Sequence, residues 1–145
     1  MKRNGFWIWQ TSENVPHKQS VLFRRSFLYD GGIPVNIDIS ASSRYKLYIN
    51  GNYVCNGPQR GDRFRQFYDT LDISQWLRSG RNVIGVHVQH YPMDYYKSLT
   101  FESGPISVVN SSRGGFWLSC DMLPISTDSQ WECCSDDGYC FVEAV

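Results

Sequence analysis

The pair Asn50-Gly51, set between two runs of alternating residues, constrains this chain more than any other feature. Asn-Gly supplies the two positive-φ positions of a two-residue type I′ turn, whose twist matches that of the strands it joins. Tyr45, Leu47 and Ile49 lead into it with period two, and Tyr53-Val54 lead away. A β-hairpin is therefore predicted, and counting outward from the turn pairs Tyr48 with Tyr53 and Leu47 with Val54. Upstream, Val35, Ile37, Ile39 and Ala41 alternate with Asn36, Asp38 and Ser40. That pattern predicts an antiparallel strand with one face in the core and one in water.

The remaining segments read the same way. Phe23 to Tyr29 is a strand with Phe23, Phe27 and Tyr29 on one face, stopped by Asp30-Gly31-Gly32. Tyr68 to Ile73 is extended, Ser74 to Leu77 is a single helical turn capped by Gly80, and Asn82 to Tyr91 is a strand with Ile84, Val86 and Val88 inward. Strands follow at Ile106–Val109 and Phe116–Met122, separated by the turn-forming run Asn110 to Gly115, and a short last strand follows Glu132. Helical periodicity of useful length is absent. A chain of 145 residues is one domain with room for one core. Short strands broken by Gly, Pro and Asn predict an all-β fold, an antiparallel sandwich or barrel. Residues 1–22 are read as an N-terminal arm packing on the sandwich, 23–132 as the sandwich, and 133–145 as an edge segment or the start of a linker.

Fourteen basic and fourteen acidic residues cancel. The balance argues against a nucleic-acid or anionic-membrane partner drawn by bulk charge. Phe23-Arg24-Arg25-Ser26-Phe27 places two Arg on a sandwich face, one of them under a loop. Cys55, Cys120, Cys133, Cys134 and Cys140 are odd in number and fit no zinc spacing. With an opening too soon polar for a secretory leader, they read as free thiols of a reduced, cytoplasmic protein.

Hydrolysis of a glycosidic bond needs two carboxylates across it, about 5–5.5 Å or 6.5–9.5 Å apart. Glu13, Glu102, Glu132 and Glu143 are the only glutamates, none in a motif-like context. A Gly-x-Ser-x-Gly elbow is missing. His87 and His90 fall on opposite faces of one strand and do not chelate together. No catalytic residue is assigned. Asn56, Asp62, Asp69 and Asp72 offer hard oxygen ligands around the polar loop 56–67, with Asp62, Asp69 and Asp72 as a candidate calcium set. Their competing reading is ordinary turn and cap hydrogen bonding. Trp7 and Trp9, bulky and near the start, dock on the sandwich or mark a partner's footprint. Arg60, in a loop with three Arg and one Asp within residues 60–65, is the candidate for a forked contact to a carboxylate or carbonyl.

Tyr45-Lys-Leu-Tyr-Ile-Asn-Gly-Asn-Tyr-Val, Gly57-Pro58-Gln59-Arg60, Tyr68-Asp69-Thr70-Leu71-Asp72-Ile73 and Gly80-Arg81-Asn82-Val83-Ile84 together resemble the N-terminal sandwich of family 78 bacterial α-L-rhamnosidases. Trp7-Ile8-Trp9, Phe23 to Phe27 and the closing Ser126 to Trp131 are similar too, so the resemblance spans about residues 7–132. It implies a galactose-binding-like jelly-roll that packs on a downstream α/α barrel of the same polypeptide. That barrel carries the acid and base, and no catalytic position of the family maps onto this sequence. The expected function is a non-catalytic accessory domain. Its rival is an autonomous carbohydrate-binding module for rhamnose- or galactose-type glycans, calcium-assisted or not, with Tyr95, Tyr96 and Arg60 flanking its groove.

Overall fold

The computed structural model of the chain describes residues 4–10, 19–59, 66–90 and 114–139. Its described strands are β1 (Gln19–Tyr29), β2 (Asn36–Ala41), β3 (Arg44–Ile49), β4 (Asn52–Gly57), β5 (Asp69–Asp72), β6 (Gly80–His90), β7 (Phe116–Ser119) and β8 (Glu132–Ser135), with one 3-10 turn at Ser74–Trp76. They form a five-stranded sheet, β4-β3-β6-β1-β8, and a three-stranded sheet, β5-β2-β7, every pairing antiparallel. The antiparallel sandwich expected from the alternating runs is the fold observed. Among the described strands only β3 and β4 are neighbours both in sequence and in a sheet. Every other connection crosses between layers or reaches a distant partner.

The core lies between the layers because the apolar phases of both sheets face each other. Val21, Phe23, Phe27 and Tyr29 of β1, Tyr45, Leu47 and Ile49 of β3, and Ile84, Val86 and Val88 of β6 are buried against Ile37 and Ile39 of β2 and Phe116 and Leu118 of β7. Side chains of this size contribute about 1.5–3 kcal/mol each when fully buried. Phe116 sits at the join, its ring 5.1 Å from Phe23 and 5.1 Å from Trp131. The spine of the larger sheet is the unbroken ladder from Gln19↔His90 to Tyr29↔Gly80.

The two neighbouring arginines of β1 divide as the pleat requires. Arg24 points out and pairs with Glu132 at 2.5 Å, both side chains largely exposed. Arg25 has the inward phase and its side chain is only 10% exposed, its charge met by the 126–130 segment. Its guanidinium meets Asp128 and donates to Gln130 Oε1 at 3.0 Å.

The structure corrects five local expectations. Asn50 and Gly51 take φ of 53° and 82°, as the turn demands, and Tyr48 pairs with Tyr53. Leu47, however, pairs with Cys55 and not Val54, because a bulge adds one residue to β4. Gly80 does not cap the helical turn. Leu77 N–H closes that turn onto Ser74, while Gly80 (φ 92°) opens β6. Its carbonyl accepts from the buried Asn82 amide, which also donates to Arg78 and accepts from Asn50. The polar face of β2 is solvated only at Asn36. Asp38 and Ser40 are buried, Asp38 accepting from Thr70 Oγ1 at 2.6 Å. β7 ends at Ser119, where Ser126 Oγ turns the chain by accepting from Cys120 N–H and donating to its carbonyl.

Gly114-Gly115 supplies the fifth correction. Neither glycine has a positive φ. A Cβ on Gly114 would lie 2.1 Å from Trp9 Cε2, and one on Gly115 would lie 2.7 Å from Trp7 Cε3. These glycines are seats for two indoles, not turn residues. The strand expected at Ile106–Val109 lies outside the described residues.

Candidate functional site

A cleft of about 350 Å³ opens on the outward face of the three-stranded sheet. Its floor is set by register. Ser40 of β2 and Trp117 of β7 are cross-strand partners in the outward phase, opposite to the inward Ile39, Phe116 and Leu118. One wall is Gln66-Phe67-Tyr68, the lead into β5, and the other is Trp7 of the arm. Ile8 holds the arm in place through two backbone bonds with Phe116, at 2.9 and 3.0 Å. Alternation then turns Trp7 out onto Gly115 and Trp9 the opposite way. Trp7 is 51% exposed, Phe67 41% and Tyr68 39%, whereas Trp117 beneath them is 8% exposed. Tyr68 meets Trp117 edge-on at 6.1 Å and 79°.

Two polar side chains of the cleft, Ser40 and Gln66, are engaged internally. Ser40 Oγ donates to the Phe67 carbonyl at 2.6 Å and accepts from Gln66 Nε2 at 3.1 Å. Gln66 Nε2 also donates to the Ala41 carbonyl at 2.8 Å. Among the described residues, neither a carboxylate nor a basic side chain lines the cleft. What it offers is ring surface.

Of the residues singled out in the sequence, Trp7 lies in this cleft and Trp9 does not. Trp9 is half-buried against Phe23 and His90, with Nε1 donating to Gln19 Oε1 at 2.8 Å. Arg60, Asp62, Tyr95 and Tyr96 lie outside the described residues. Asp69 and Asp72 do not converge. Asp69 accepts from the buried Tyr45 hydroxyl at 2.5 Å and from Gln59 N–H at 3.3 Å. Burial first, and that carboxylate second, hold the Tyr45 phenol far above its usual range. Asp72 accepts from the hydroxyl and backbone N–H of Ser74, which holds its carboxyl below the usual range. Asn56 accepts from the Tyr53 hydroxyl at 2.9 Å. Among the described residues no cluster of three or more His, Cys, Asp or Glu is grouped to hold a metal. Phe67, Tyr68 and Trp117 were not picked out from the sequence as site residues. The available signal was Trp117, a large ring in the outward phase of a strand whose neighbours face inward.

The outer face of the larger sheet carries a second polar group. Ser20 Oγ lies 2.5 Å from His87 Nε2, and Asp136 Oδ2 lies 3.4 Å from the same nitrogen. A nucleophilic triad places serine and carboxylate on opposite nitrogens of the imidazole, so this arrangement is not one. Burial lowers the His87 pKa, and Lys46 adds to that, against the opposing pull of Asp136. His90, on the inner face, is lowered by burial to about 4, and its Nδ1 contacts Ser42 Oγ at 2.9 Å. Burial also raises the thiols of Cys55, Cys120 and Cys133. These three and Cys134 are free cysteines, and Cys140 lies outside the described residues.

No family model matches the chain, and no curated protein sequence matches it. Solved structures do. A GH78 family rhamnosidase of Bacillus sp. GL1 is similar over 93% of this chain and 14% of its own, at 32% identity and a TM-score of 0.74. An alpha-L-rhamnosidase of Dictyoglumus thermophilum matches 81% of this chain and 13% of its own, at 22% identity and a TM-score of 0.61. One from Aspergillus terreus matches 87% and 16%, at 21% identity and a TM-score of 0.63. The last two likenesses show the fold alone. The chain thus spans 13–16% of the length of these rhamnosidases. The likeness to family 78 α-L-rhamnosidases read from the sequence is present in the fold, and it is a likeness to one β-sandwich portion of those much longer enzymes.

Proposed function

We propose that this chain is a non-catalytic accessory β-sandwich, N-terminal in position, of an α-L-rhamnosidase-like glycoside hydrolase, packing on the catalytic barrel and shaping its cleft. The observation that carries the reading is the match of 93% of the chain, at 32% identity, to 14% of a GH78 family rhamnosidase. The cleft chemistry supports it, since among the described residues the lining is rings without a carboxylate pair, a surface that can hold a neighbour but cannot cut a glycosidic bond. The test is a graft. Replacing the matching segment of the Bacillus enzyme with this chain is expected to keep hydrolysis of an aryl α-L-rhamnoside, while deleting that segment abolishes it. The chain alone is expected to show no turnover. A graft as inactive as the deletion, or turnover by the chain alone, overturns the reading.

The ring-lined cleft also favours a second reading, an autonomous carbohydrate-binding module. Calorimetry with L-rhamnose, with and without calcium, decides between them. Binding at millimolar concentration or tighter supports the module, and no heat supports the accessory domain.

A further inference from the structure

Resting on the second reading, the carbohydrate-binding module, we infer that the cleft between Trp7 and Tyr68 is the sugar site, and that it takes one pyranose residue with an oxygen accepting from Trp117 Nε1. A comparison of indoles leads there. Trp9 Nε1 donates to Gln19 Oε1 at 2.8 Å, and Trp131 Nε1 donates to the Ile125 carbonyl at 3.2 Å. Trp117 Nε1 has no acceptor among the described residues, although its side chain is only 8% exposed. Donors this deeply buried are nearly always paired in a folded chain. Trp117 stands in the outward phase of β7 and lines the cleft floor, so its N–H is left for what enters the cleft.

The walls define the shape of that ligand. Trp7 stands on one side, seated on Gly115, in an arm bonded to Phe116. Phe67 and Tyr68 stand on the other, Tyr68 braced edge-on against Trp117. Rings held in place before binding lose little freedom when a ligand arrives. A ligand between them meets flat apolar surface on its faces and an indole N–H at its edge. A pyranose has that distribution, with C–H groups on its faces and oxygens around its rim. A hydroxyl that accepts from Nε1 keeps its own proton to donate to water at the mouth, so the engaged Ser40 and Gln66 are not needed. A peptide carbonyl would bring a neighbouring N–H that needs an acceptor of its own. The volume of about 350 Å³ lies at the small end of the range for small-molecule sites, which suits a single sugar residue.

The indole N–H signals read this contact directly. The whole chain is titrated with L-rhamnose and with D-galactose by calorimetry and by heteronuclear NMR. At least one of the sugars is expected to move the Trp117 signal, identified by its loss in Trp117→Phe, saturably and in step with the heat. The Trp131 signal, whose N–H is engaged inside the core, is expected to stay where it is. Trp117→Phe keeps a ring and removes the donor, and should weaken binding about tenfold. Trp7→Ala removes an exposed wall that is not part of the core, and should weaken it about fivefold. Tyr53→Ala, an exposed ring on the larger sheet, should leave binding unchanged. Far-UV circular dichroism checks that each variant folds. Heat of binding with the Trp117 signal unmoved, and with Trp7→Ala binding as the parent chain does, puts the sugar elsewhere. That result overturns the inference and leaves the module reading standing. No heat from either sugar overturns both.

Discussion

The two sheets of this sandwich share one core and differ in what they do with their other face. The five-stranded sheet is self-sufficient. Its central ladder runs unbroken from Gln19↔His90 to Tyr29↔Gly80, and its outer face shows scattered exposed side chains such as Leu28 and Arg24. The three-stranded sheet has short strands and buried polar residues on its outer face. It is completed by pieces from elsewhere, the arm, the 66–68 wall and the 120–131 segment. The larger sheet holds the fold, and the smaller one gathers distant segments into a surface.

The sharpest test of that contrast is Phe116→Ala, where the arm, β7 and the larger sheet meet. A fully buried Phe should lose about 3–5 kcal/mol in urea unfolding. A loss under about 1 kcal/mol would mean that the layers do not share this ring. Next comes acid. His90 titrates near 4 in the folded chain, below the ordinary 6.5 that applies unfolded. As pH falls the unfolded chain takes up its proton first, so the contribution is complete above pH 6.5 and is lost between 6.5 and 4. The loss across that window is about 3 kcal/mol. The lowered pKa of His87 acts in the same direction. Urea midpoints at pH 7 and 4.5 measure it, and His90→Gln should flatten most of the slope.

A pair of alanines then compares the sheets directly. Gly114→Ala drives a Cβ into the Trp9 ring and should destabilise by about 1–3 kcal/mol, with a change in tryptophan fluorescence. Gly85→Ala, in the middle of β6, meets nothing closer than 3.9 Å and should stabilise by about 0.4–1 kcal/mol. Equal effects would erase the distinction between a sheet that seats other segments and one that does not. The smallest effect is expected at Arg24→Ala. Its pair with Glu132 is solvent-exposed on both sides, and the melting temperature should not move measurably.

The sequence made local structure legible and hid what is assembled over distance. The hairpin turn and the inward phase of Phe23, Phe27, Ile84, Val86 and Val88 follow from turn chemistry and period-two alternation, whereas the two Arg read as sharing a face divide between faces. The bulge at Leu47/Tyr48 escaped, because one added residue leaves no mark in an alternating run. Sheet order escaped too, since only the β3–β4 pair is local. The cleft combines residue 7, residues 66–68 and residue 117, and no motif spans that separation. Asp69 and Asp72 looked like ligands by spacing, yet each is held by a hydroxyl on a different element, Tyr45 or Ser74. Gly114-Gly115 was misread for a physical reason. A glycine that makes room for a ring looks identical in sequence to one that bends the chain.

The bridge between Ile8 and Phe116 has one more consequence. Both main-chain groups of Phe116 that face away from β2 are occupied by the arm. Peel residues 4–10 away and that border becomes an open template for a strand from another molecule. The same few residues that hold Trp7 over the cleft therefore also keep identical copies from adding to one another edge to edge.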